Sequence, residues 1–146
     1  MSQYFDIGDE TLWNPSNGVS RMFQRQVAVF EAELELPSGI GPMVNDECQI
    51  SPDTFETFVN ALLAQHRKTS HSIWLALCEG FTAAVLVLAE RAAIKVDWAR
   101  HGAAPEAPFE DVQVSTVTGM SAPAEGTAWA AGLRGKAQEL GRRMPR

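Results

Sequence analysis

Apolar positions along the chain are densest from Ser72 to Val96, SIWLALCEGFTAAVLVLAERAAIKV, a stretch hydrophobic on nearly every side up to Glu90. A helix without a wet face must be surrounded by other elements of a core or by lipid. Ser70 or Thr69 is placed to cap its start, with His71 at the helix entrance. Ala76, Gly80 and Ala84 recur every four residues as a ridge without bulk, open to a partner helix, while Trp74, Leu77, Phe81, Val85 and Leu88 make a broad apolar band. Glu79, Thr82, Leu86 and Glu90 form its wetter side, and the helix is expected to stop around His101-Gly102. Glu79 near the middle would cost roughly 2.5–3.5 kcal/mol in a bilayer, and basic residues flank both ends, so a buried core helix is preferred to a membrane span.

Two helical stripes precede it. Val19, Met22, Phe23, Val27, Phe30 and Leu34 follow a start at Asn14-Pro15 or Asn17, and Leu36-Pro37 ends that helix. Phe55, Phe58, Val59, Leu62, Leu63 and His66 follow Ser51-Pro52-Asp53, which supplies a cap, an N1 proline and an acid for the helix dipole. A turn at Thr69-Ser70 folds this second helix back on the third. At the N-terminus, QYFDI and ETLW read as two strands joined by Gly8-Asp9, and Glu47 to Ile50 as a short strand beside them. Between these elements PSGIGPMVND is a loop by its prolines and glycines.

Beyond His101 the pattern loosens. Residues 102–128 read as an Ala/Pro-rich linker, in which Val112, Val114 and Val117 allow one short strand within 109–118. From Trp129, a basic amphipathic helix places Trp129, Leu133, Ala137, Leu140 and Met144 on one face. Gly132, Gly135 and Gly141 each cost about 1 kcal/mol against Ala, so a flexible arm is expected. The fold class is α+β, mainly helical: three packed helices and an N-terminal hairpin over 1–101, then the linker, then the helix of 129–146.

Charge refines this picture. The net charge is −6, but from Trp129 onward five cations face Glu139 alone, a tail of +4 that leaves −10 for the residues before it. An acidic body disfavours nucleic acid as a partner and suits a basic protein. The tail has three readings: it docks on its own body, binds another acidic surface, or attaches to an anionic membrane. As a partner-binding surface it would use Trp129, Leu133, Arg134, Leu140, Arg142 and Arg143. The start MSQYFDIGDE lacks the basic and apolar regions of a signal peptide, so a cytoplasmic protein is the expectation.

Candidate chemistry is sparse. His66 and His71 lie on either side of a turn and share no helix face, and neither CxxC nor HExxH occurs, so no metal and no cofactor is expected. Cys48 and Cys78 read as small buried hydrophobes, and the acidic neighbours of Cys48 raise a thiol pKa instead of lowering it. Glu79 is an acid in an apolar helix and needs a partner or a shifted pKa. With Trp74, His71 and Met43 it forms the candidate ligand-binding set.

The segments YFDIGDETLWNPS, LPSGIGPMVNDECQI, FETFVNALL and EGFTAAVLVLAERA resemble a family of small uncharacterised actinobacterial proteins known only as a domain of unknown function. The resemblance covers residues 3 to 97, leaves the tail after His101 outside, and implies no activity. The functional expectation is a non-enzymatic protein-binding accessory or immunity-like protein. The alternative is a small-ligand-binding protein or enzyme with a pocket near Glu79 and the loop 37–43. Surplus apolar surface on the third helix is compatible with a homodimer.

Overall fold

The computed structural model describes residues 2–98 and 122–146, with side chains from 128 in the second segment. Strands β1 (Tyr4–Ile7) and β2 (Glu10–Trp13) form the expected antiparallel hairpin, turned at Gly8, whose φ of 58° is accessible to glycine at no steric cost. Strand β3 (Glu47–Gln49) adds in parallel to the free edge of β1, giving the order β2-β1-β3. The chain enters β3 through Val44-Asn45-Asp46-Glu47, where Val44 and Glu47 exchange both backbone hydrogen bonds and the two central residues have positive φ. Asn and Asp tolerate that geometry better than other non-glycine residues.

Helix α1 (Asn17–Leu34) buries Ser20, Phe23, Val27 and Phe30, while α2 (Pro52–Lys68) buries the whole stripe read from the sequence. The start of α2 is where Pro52 puts it, although the Ser51 hydroxyl bonds Thr54 Oγ1 at 3.4 Å instead of capping a backbone N–H. In the loop before it, Gly39 at φ 79° accepts the Ser51 N–H through its carbonyl at 2.7 Å. A Cβ there would stand 2.7 Å from the Phe55 nitrogen.

Helix α3 (Ser72–Arg91) is the central element and packs against β2, α2 and the last helix. It differs from the sequence reading in three respects. Its cap is His71, whose Nδ1 accepts the Trp74 N–H at 3.3 Å; Thr69 Oγ1 in turn accepts the His71 N–H at 3.2 Å. It ends at Arg91, ten residues before the expected stop. Ala93 takes a left-handed φ of 53° while the Ile94 N–H reaches back to the Ala89 carbonyl at 2.9 Å. The Asn60 side chain then holds the Lys95 carbonyl and the Asp97 N–H. No glycine marked that exit. Finally, Thr82 and Leu86 are buried, with the Thr82 hydroxyl donating to the Cys78 carbonyl at 2.9 Å, so of the expected wetter side only Glu79 and Glu90 reach solvent. The exposed stripe is apolar instead: Ile73 and Leu77 are 65% and 75% accessible.

Helix α4 (Ala122–Gly141) starts seven residues before Trp129, so residues 122–128 are helical where a linker was expected. It lies on α3, burying Leu133, Ala137 and the following Met144. The tail therefore docks on its own body. Residues 102–121 of the linker reading, with the short strand of 109–118, lie outside the described residues. The overall class is α+β, mainly helical, with four helices beside a three-stranded sheet. Among the described residues α3 alone has the length and apolarity of a membrane span, and half of that window is buried inside the domain.

Candidate functional site

Alternation along β1 sends Phe5 into the core and Asp6 to the outer face of the sheet. Because β1 is the central strand, Asp6 is flanked by its register partners Thr11 on β2 and Gln49 on β3, and only 8% of it stays accessible. Its Oδ1 is closed off from solvent and has no hydrogen-bond partner among the described residues. A carboxylate so placed carries an unrecovered desolvation cost. The residue lines a cleft of about 410 Å³ together with Tyr4, Asp9, Thr11 and Glu47, with Oδ1 on its sealed side. The floor is fixed, since the Gln49 amide donates to the Gly8 carbonyl at 3.4 Å and the Ile50 N–H to the Asp6 carbonyl at 2.8 Å. This arrangement is anionic, part-desolvated and rimmed by a phenol, and suits a cationic group.

The thiol on the other side of the sheet is inert. Burial, and then the charge of Asp6, pushes Cys48 up to about 11, and its Sγ donates to the Gly41 carbonyl at 3.1 Å. Cys78 is also pushed up to about 11, by burial and then by Glu33. No group of three or more His, Cys, Asp and Glu side chains suited to a metal occurs among the described residues.

The candidate ligand set is dispersed. Glu79 forms an ion pair with Lys136 of α4, so the acid of the apolar helix is answered by the basic tail. The cleft beside it, about 350 Å³, is lined by Ala76, Gly80 and Ala83 and by α4, and includes neither Trp74 nor Met43. His71 is a helix cap, and Trp74 and Met43 are half-buried against the core.

The tail residues divide. The Trp129 indole N–H donates to His66 Nδ1 at 3.1 Å, with Arg67 over its ring at 5.6 Å. Leu133 is buried, Leu140 half-buried, and Arg134 stacks on Trp98 at 4.3 Å. Arg142 and Arg143 are exposed, the latter 3.3 Å from Glu139. Arg91 ties the tail down: its guanidinium donates to the Leu12 carbonyl at 2.7 Å and to the Gly141 and Met144 carbonyls at 3.0 and 2.8 Å.

Asp6 and Arg91 were not singled out from the sequence. The one signal for Asp6 was an acid at an outward position of a strand that acquires neighbours on both sides. Arg91 gave none, since a basic residue in a last helical turn is ordinarily solvated.

No curated protein and no solved structure matches the chain. A family model does, and it runs through the tail that the resemblance over residues 3–97 had left outside. Matched from residue 1 to residue 146, the chain belongs to a family of unknown function, DUF6086.

Proposed function

We propose that the protein is a non-enzymatic protein-binding module, an accessory or immunity-like partner of a basic protein, and that the cleft at Asp6 receives a lysine or arginine side chain of that partner. The observation that carries this reading is a carboxylate more than nine-tenths buried, with one oxygen unpartnered, at the floor of an anionic cleft. A guanidinium or ammonium in the cleft offsets the charge of the carboxylate, and a charge-assisted contact of this kind is stronger than a neutral one. Tyr4, 40% exposed at the rim, offers a ring face to the same cation. The −10 carried by the residues before Trp129 steers a basic surface toward the domain and raises the association rate.

Titration of the ¹⁵N-labelled protein with a short oligo-arginine peptide tests this. The amides of Tyr4, Asp6, Thr11 and Gln49 are expected to shift, less so at high salt. Asp6→Asn should weaken binding at least ~30-fold, because removing one partner of a desolvated charge pair costs about 2 kcal/mol or more. The same variant should melt at a higher temperature, since an unpaired buried charge is gone. Equal affinity of the two proteins, or shifts confined to other surfaces, defeats the proposal.

A further inference from the structure

Helix α3 turns an apolar face outward. Ile73, Leu77, Gly80 and Ala84 succeed one another at spacings of four, three and four residues, which places them along one side of the helix. Ile73 and Leu77 are the most exposed large apolar residues described, and a Cβ on Gly80 would meet nothing within 4 Å. On α1, Val19, Met22 and Val29 form an exposed stripe of their own, 50%, 62% and 57% accessible. Between the helices, a groove of about 670 Å³ opens over Gly80 and Ala84, walled by Val19 and Met22 on one side and Leu140 and Met144 on the other.

This surface has a protrusion and a hollow, one at each end of the same helix. The N-terminal half carries two bulky side chains and the C-terminal half a groove floored by small ones. When two copies of α3 cross antiparallel about a two-fold axis near the middle of the stripe, residue 77 faces residue 80 and residue 73 faces residue 84. The large residues of each copy then meet the small residues of the other, twice over, as an isologous interface requires. The same rotation keeps α1 of one copy beside α1 of the other, and α4 beside α4, on the two flanks of the crossing. The area is in proportion. Five large side chains at these exposures present roughly 500 Å², at the upper end for an isolated apolar patch, and the groove walls bring it toward the roughly 800 Å² per partner of a stable interface.

We propose that this face is the two-fold interface of a homodimer in which Ile73 and Leu77 of each copy enter the groove over Gly80 and Ala84 of the other. It shares no residue with the acidic cleft at Asp6 and stands or falls separately from the binding role assigned there.

Sedimentation equilibrium of the full chain over a concentration series, without detergent, should give a mass twice the 15.9 kDa of one chain. Leu77→Glu should shift it to monomer while leaving the far-ultraviolet spectrum and the melting temperature of the monomer unchanged, because Leu77 is three-quarters exposed. Gly80→Leu separates packing within a chain from packing between chains: it should raise the melting temperature of the monomer, leucine being the better helix former, and weaken dimerisation at least tenfold. A wild-type monomer overturns the proposal, whether the face is then covered by residues 99–121, by another protein or by added lipid vesicles. So does a dimer that survives both substitutions.

Discussion

The indole N–H of Trp129 donates to Nδ1 of His66 at 3.1 Å, joining the last helix to the end of α2 across 63 residues of chain. His66 must be neutral at Nδ1 to accept that bond. Burial, and then the positive charge of Lys136, holds its pKa below the ordinary 6.5. Above that value neither the folded nor the unfolded chain carries a proton there. As the pH falls through it, the unfolded chain takes up a proton that the folded one refuses, and stability is lost. The melting temperature should therefore drop between about pH 7 and pH 5 by more in the wild type than in His66→Gln, whose side-chain carbonyl can still accept from Trp129. Parallel pH profiles for the two proteins would show that His66 is not the titrating group.

Arg91→Lys should unlatch the tail. The guanidinium bonds three carbonyls on two elements at once, a fork that one ammonium on a flexible stem does not reproduce. A loss of about 2 kcal/mol in urea unfolding is expected, with faster amide exchange around Met144 than in the wild type. Unchanged exchange there would place the anchoring of the tail elsewhere.

Gly39→Ala should be among the most damaging single-methyl changes. The residue has a φ of 79°, and its Cβ would press on the Phe55 nitrogen and on the Ser51 carbonyl at 2.8 Å. Both atoms belong to the first turn of α2, so relief requires moving the helix start. A cost above about 2 kcal/mol is expected by chemical denaturation, whereas Gly132→Ala, inside a helix where a Cβ meets nothing within 4 Å, should stabilise by up to about 1 kcal/mol.

Glu79→Gln should be mild. The ion pair with Lys136 is about one-third and more than half exposed on its two sides, so solvent screens it and the loss should stay within about 1 kcal/mol. A much larger loss in thermal unfolding would mean that Glu79 bears more of the α3 and α4 contact than its exposure indicates.

Local patterns in this chain wrote the elements: Gly8-Asp9 set the hairpin, Ser51-Pro52 the start of α2, and the Phe55 to His66 stripe its buried face. These are short-range effects of backbone sterics, missing N–H groups and helical period, and they are complete within a few residues. That the chain belongs to an uncharacterised family was legible in residues 3–97, although the match spans the whole chain.

What the sequence left undecided depends on groups brought together from far apart. The end of α3 at Arg91 is set by Ala93 turning left-handed while Asn60 of α2 holds the segment that follows, and no local breaker announces it. The tail looked free because its glycines weaken an isolated helix, whereas the surface that buries Leu133, Ala137 and Met144 and the Arg91 guanidinium that holds two of its carbonyls come only from the body. Asp6 is an ordinary strand acid until β2 and β3 close on either side of it. Spacing along the chain fixes which face a side chain takes. Only the assembled fold fixes what that face meets, and the desolvation and pairing of a charge depend on the second.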